Sequence, residues 1–397
     1  MPDVFRSEVR FPIYAVSFAT DSKLVVAGGG GEGKNGVANK IAVLDVDSNE
    51  GTITVAEEKI LSKQEDAPMS LAISEAGVIA AGINSGSEEQ KKGVNTHLRI
   101  FQLENNKVEL QNKKQLFATG EQDNYQKAAR FSSSAQYLAV TSSNGSLYSL
   151  TYPSLQNQFP PITETASDDD SGRDHEVQDV DYSPSEKYLA YTTLKRVVLL
   201  SASTGEKIAE YFPPPAASFR GVRFASHDTM ILVANAARRE GASIVKLVLP
   251  DDLELAKQQA TAPVRTVRSL HSGIKAVTAL DCRESLACVA GADLSVSIVR
   301  TDSLREIKIV QLAHSFPVTA ISINPSCTAA ASGSVAQSLV VINLEKMVER
   351  SDKRQTIMTV VTSLVVVTVV AVLVQLVLQH QVLLSGGKNE SAGDERL

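Results

Sequence analysis

Residues 316–344 read FPVTAISINPSCTAAASGSVAQSLVVINL. A short apolar strand, a turn on Asn, Pro and Ser, an Ala/Ser-rich second strand, another turn and a third strand follow one another within one quotation. The unit recurs as FPIYAVSFATDSKLVVAGGG from residue 11 and APMSLAISEAGVIAAGINSG from residue 67. It returns as NYQKAARFSSSAQYLAVTSSNGSLYSL near residue 125 and EVQDVDYSPSEKYLAYTTLKRVVLLS from residue 176. Two more instances are SFRGVRFASHDTMILVANAA from residue 218 and GIKAVTALDCRESLACVAGADLSVSIV from residue 273. Successive starts lie roughly 40 to 60 residues apart, the period of a four-stranded propeller blade with loop insertions. Seven such units predict an all-β, seven-bladed β-propeller.

The pattern is WD-repeat-like but divergent, because the chain has no Trp. His271 and His314 stand just before an inner strand, and Asp293 and Asn144-Gly145 occupy tight turns between second and third strands. A buried polar group there satisfies backbone atoms between strands, so these residues read as structural. The seventh unit ends at SLVVINL without a fourth strand, and an unpaired outer edge invites aggregation. The N-terminal DVFRSEVR is the expected donor of that strand, which closes the ring non-covalently.

Hydrophobic residues make up 43% of the 397 and charged residues 21%, an ordinary globular composition that can bury a core. The formal net charge of −6 excludes a general nucleic-acid binder, which needs a basic face for phosphates. Cys282, Cys288 and Cys327 are too few for a disulfide framework and read as free thiols in a reducing compartment. The N-terminus shows no apolar signal-peptide core. From Ile357 to Leu378 the chain reads IMTVVTSLVVVTVVAVLVQLVL, uncharged throughout. That is enough helix to cross a hydrocarbon layer of about 30 Å. Arg350, Lys353 and Arg354 precede the span, which puts the N-terminal portion in the cytosol by the positive-inside rule. The expected organisation is a propeller over 1–348, a basic segment over 349–356, a transmembrane helix over 357–379 and a short lumenal tail over 380–397. Asn389 is a formal glycosylation acceptor in that tail.

Within the first unit, VVAGGGGEGKNGVANKIAVLDV (25–46) fits two nucleotide-binding patterns, G-x-x-x-x-G-K and G-x-G-x-x-G. Both need a helix after the glycines, whose free N–H groups face the phosphates. Here NKIAVLDV follows, with the alternation of a strand, and Asn35 stands where a P-loop carries Ser or Thr. Both patterns are therefore decoys. Consecutive glycines adopt positive φ at little cost and can turn several carbonyls toward one point, a donor set for a hard cation.

AGGGGEGKNGVANKIAVLDV in the first blade, DAPMSLAIS opening the second and the late anchor together resemble a family of membrane-anchored exchange factors. That family is the endoplasmic-reticulum guanine-nucleotide exchange factors that activate the Sar-type small GTPase of the COPII coat. The resemblance implies a non-enzymatic role in GDP release and GTP loading. It implies a potassium ion ordering the loop through carbonyls of Gly28, Gly29, Gly30, Gly31, Gly33, Asn35 and Gly36. It also implies that Asn39 hydrogen-bonds the GTPase, that Ile41 is an apolar contact displacing its switch segments, and that Pro68 stiffens the entry to the second blade beside this surface. Glu32 and Lys34 lie within the loop, where they bear on cation binding.

A membrane-tethered propeller scaffold without exchange activity is the competing reading, since scaffolding is a common use of propellers. A hydrolase would need convergent acids or a nucleophile with a base. Asp168, Asp169, Asp170, Asp174, His175 and Glu176 are the one dense cluster, and its Ser/Gly-containing setting reads as a solvated loop.

Overall fold

A computed structural model describes residues 2–33, 36–118, 124–165, 174–249 and 264–386. Blade 1 shows how the sequence unit becomes sheet. Ile13–Phe18 is the inner strand, followed outward by Lys23–Gly28, Lys40–Asp47 and Thr52–Ile60, all antiparallel. The second and third strands carry branched and small apolar residues on both faces because neighbouring blades cover both faces. The outer strand is largely exposed. Among the described residues, seven such four-stranded sheets follow in order around the ring.

In the seventh sheet, Val318–Ile323, Ala329–Ser334 and Ser338–Asn343 are completed by Val4–Glu8 from the chain's start. The register runs from Val4 opposite Ile342 to Glu8 opposite Ser338. Asn343 N donates to Asp3 O at 2.9 Å, and Val9 N to Gln337 O at 2.9 Å. The expected closure is present.

The core lies between blades as wedge-shaped layers rather than as one central mass. One layer joins Phe5, Phe11 and Ile13 to Leu24, Leu44, Leu339 and Val341 across blades 7 and 1. The next joins Val25, Ile41 and Val43 to Leu71, Ile79 and Phe101 across blades 1 and 2. Among the described residues, five inner strands share a one-residue register shift near their start, at Tyr14, Lys127, Arg220, Thr278 and Thr319. Such bulges bend the strand at the mouth of the central channel, where these five side chains stand.

His314 is buried with Nδ1 2.7 Å from Ser338 Oγ and Nε2 2.8 Å from Ser332 Oγ, which ties two strands of blade 7. His271 sits 2.8 Å from Glu306 and 3.1 Å from Asp293 in blade 6. Both have the structural role that the sequence suggests. The three cysteines are free, and burial pushes each thiol up from its ordinary pKa.

Deeper in the channel, Arg223 binds Asp179 at 2.5 Å and Asp281 at 3.2 Å. The carboxylates in turn accept backbone N–H groups from adjacent blades, Asp281 from Ile323 at 2.7 Å and Asp181 from Phe224 at 2.8 Å. Enclosure pushes the Asp181 carboxyl up to about 7, against the pull of Arg130, which lies 4.0 Å away. With its folded pKa above its unfolded one, this group stabilises the fold most under acid conditions, and that contribution is lost as pH rises through about 7. Burial lowers His97 and His314 to about 4, so their contribution has the opposite sign: present above the unfolded value and lost toward pH 4. Asp181→Asn retains an acceptor for Phe224 N and leaves both histidines in place. Melting curves from about pH 5 to 8 are expected to show the parent losing stability relative to Asp181→Asn as pH rises. Parallel curves would refute the assignment.

Residues 1–345 and 346–397 form two separate compact units. One helix, continuous from Leu344 to Gly386, begins at the end of the first unit and includes the basic segment expected over 349–356. Leu344–Leu378 has a mean hydropathy of 2.8 in its most apolar window, long and apolar enough to cross a membrane. Asn389 lies outside the described residues.

Candidate functional site

The glycine segment links the second and third strands of blade 1, and its ends are fixed by Gly28 pairing with Lys40. Two glycines there are sterically required. A Cβ at Gly28 would lie 1.9 Å from Pro12 O, and one at Gly29, whose φ is +147°, would lie 2.3 Å from Asn39 Oδ1. Gly31, Gly33 and Gly36 also have positive φ, of 78°, 139° and 82°. Gly33 and Gly36 have nothing near the space a Cβ would fill. The loop is thus tightly packed at its base and has free space at Gly33 and Gly36. Gly30 is half-buried, and Lys34 and Asn35 lie outside the described residues.

Asn39 organises the base. Its Oδ1 accepts Gly31 N at 2.9 Å, and its Nδ2 donates to Gly31 O at 3.2 Å and to Glu65 O at 2.8 Å. The side chain is 3% exposed. This corrects the expectation that Asn39 hydrogen-bonds a partner, since both ends of its amide are engaged within the chain. It binds the loop to the segment entering blade 2. Glu65 continues the connection through Arg99 at 2.7 Å, and Arg99 Nε donates to Thr96 O at 2.5 Å.

Ile41 requires a second correction. It lies within the third strand opposite Ala27, is 0% exposed, and packs in the layer with Ile79 and Phe101. It cannot touch a partner in this structure. Ile41→Ala would instead empty a core site, at a cost of about 2–5 kcal/mol. The apolar side chain that the loop itself presents is Val37, which is half-buried against the layer between blades 7 and 1. Pro68 is buried immediately ahead of the inner strand Ser70–Ile73.

Two neighbours of the loop were not legible in the sequence. Asp66 Oδ1 lies 3.1 Å from the point a Gly31 Cβ would occupy, so a carboxylate faces the loop. Glu32 reaches blade 2, where Ser87 donates its N–H at 2.7 Å and its hydroxyl at 2.8 Å to the carboxylate. The donors around the loop are carbonyl and carboxylate oxygens, a set that suits a hard cation. Among the described residues, no group of three or more His, Cys, Asp or Glu residues could hold a metal ion. Of the acidic cluster, Asp168, Asp169 and Asp170 lie outside the described residues. Asp174 pairs with Lys195, and Glu176 with Lys127.

No family model matches the chain. It is 27% identical over 345 residues to the guanine nucleotide-exchange factor SEC12 of Candida glabrata, a match covering 85% of this chain and 71% of that protein. It is 24% identical over 349 residues to SED4 of the same organism, covering 86% of this chain. The match to SED4 of Saccharomyces cerevisiae is 24% over 343 residues and covers 85% of this chain. These matches span only 32% and 30% of the two SED4 proteins. Over most of its length, then, the chain is similar to the SEC12 guanine nucleotide-exchange factor and to SED4.

Proposed function

We propose that the chain is a guanine nucleotide-exchange factor promoting GDP release and GTP loading on a Sar-type small GTPase, at the endoplasmic-reticulum membrane where COPII vesicles form. Similarity to SEC12 across 85% of the chain carries the exchange reading. The geometry adds a preformed loop at one end of blade 1. Exchange needs no bond-making step. A partner that binds the nucleotide-free GTPase more tightly than the GDP form weakens GDP by the same factor. The loop provides that difference by entering the region the GTPase opens as it releases nucleotide, with Val37 as its apolar element.

Asn39 and the Gly28–Gly29 packing hold the loop base, which limits the entropy lost when a glycine tract docks. Potassium would be held by the carbonyls of Gly28 to Gly31 beside Asp66. When bound, it would supply positive charge that draws these oxygens together. Arg350, Lys353 and Arg354 ahead of the uncharged stretch 357–378 favour a cytosolic propeller on a single-pass anchor. On this reading, exchange takes place at the membrane surface that an amphipathic helix of the active GTPase enters.

The test is release of fluorescent GDP from a Sar-type GTPase by the full chain in liposomes, with potassium or sodium as the only alkali cation. Release is expected to accelerate by at least about tenfold over the unassisted GTPase and to be faster in potassium. Tight binding without acceleration would identify a scaffold and overturn the exchange reading. Equal rates in both salts would remove the cation from it.

A further inference from the structure

We propose that Glu32 and Ser87 are positioning residues of the exchange loop, forming a latch that holds its tip against blade 2; the proposal rests on the exchange reading above. Glu32 is the loop residue that crosses to blade 2, and its carboxylate is gripped at both oxygens by one residue. Oε2 accepts Ser87 N–H at 2.7 Å and Oε1 accepts Ser87 O–H at 2.8 Å. The two residues are 55 positions apart, so this contact is tertiary. Bonds to an ionised acceptor are the stronger kind, and two from one residue fix orientation as well as distance.

A second observation shows that this seat is built rather than incidental. A Cβ on Gly86 would lie 1.7 Å from Gln64 O and 3.3 Å from Glu32 Oε1. Only glycine lets the segment entering blade 2, the loop and the start of the helix Ser87–Lys91 approach so closely. Gln90 Nε2 donates to Ser85 O at 2.6 Å, and Ser85 N donates to Asn95 Oδ1 at 2.9 Å, so the seat is braced from below. Asn39 fixes the loop at its base and Glu32 at its tip. Between them, the glycines that would otherwise sample many conformations are confined at two points.

The latch is a pair of hydrogen bonds to one carboxylate, and a second negative charge in place of the donor would break it. Ser87→Asp sets a carboxylate against Glu32 while remaining favourable at the start of a helix, so the fold should persist. Adding Glu32→Lys to Ser87→Asp restores attraction by putting an ion pair in place of the hydrogen bonds. The experiment compares the full chain in liposomes with Glu32→Ala, Ser87→Asp and the double variant. Hydrogen exchange of the peptide covering residues 28–39 and GDP release are both measured. Ser87→Asp and Glu32→Ala are expected to raise amide exchange in this peptide, and slow GDP release, by about tenfold. The double variant is expected to recover both, which a merely packing role for Ser87 would not produce. Unchanged amide exchange in both single variants would overturn the latch. Faster amide exchange with normal GDP release would overturn its positioning role. A parent chain that releases no GDP would remove the exchange reading, and the amide data would still decide whether the latch exists.

Discussion

A chain lacking residues 2–8 is expected to lose its cooperative fold and to aggregate. The deletion removes the outer strand of blade 7 and exposes the edge of Ser338–Asn343, whose partners run from Val4–Ile342 to Glu8–Ser338. It also removes Phe5, 7% exposed in the layer with Phe11, Leu339 and Val341. Burying one aromatic side chain and pairing a five-residue strand together contribute about 5 kcal/mol or more. That is a large part of the roughly 5–15 kcal/mol by which a folded protein is stable. A bare edge in a sheet of Ala and Val strands is also a template for pairing between molecules. Thermal melting and size-exclusion chromatography of the truncated chain test this, with Phe5→Ala as the milder version at about 3–5 kcal/mol. A truncated chain that melts like the parent would mean that the ring does not depend on its first strand.

Asn39→Ala is expected to slow GDP release by about 10- to 100-fold, the factor that follows from leaving buried hydrogen-bonding groups unmet at roughly 1–3 kcal/mol. The three groups concerned are Gly31 N, Gly31 O and Glu65 O. Because the side chain works inside the protein, the loss should be a loss of loop order. Asn39→Asp keeps an acceptor for Gly31 N but turns a carboxylate oxygen toward Gly31 O and Glu65 O in a buried site, so its rate should fall at least as far as that of Asn39→Ala. Stopped-flow fluorescence gives the rates, and the melting temperature reports whether the blade survives. Undiminished release by a folded Asn39→Ala chain would remove the loop from the exchange reaction.

The fold was readable because each blade repeats the same constraints. Branched and small residues fill the two middle strands, turn residues separate them, and the spare N-terminal strand answers the missing fourth strand of blade 7. The helix context around the glycines was equally decisive, since Lys40–Asp47 is a strand and cannot seat a phosphate. The roles of Asn39 and Ile41 were not readable, for a related reason. A strand covered on both faces loses the alternation that tells inside from outside, so Ile41 looks the same in sequence whether it faces solvent or the core. Asn39, one residue ahead of that strand, has the composition of a surface loop and a fully internal set of partners. Glu32 and Ser87 belong to different blades, and no local pattern links residues so far apart.

The closure of blade 7 also governs where a fusion partner can be attached. Asp3 O is bonded to Asn343 N, so the first and last strands begin and end at the same edge of the domain. The glycine loop leaves the opposite end of the blade 1 strands, beside Pro12 and well past the Glu8 end of the first strand. A fluorescent protein or affinity handle placed ahead of Asp3 therefore emerges next to the polypeptide's own exit toward its apolar helix, leaving the loop's end of the domain clear. The same handle inserted after Glu8 would crowd that end and force the borrowed first strand to carry it.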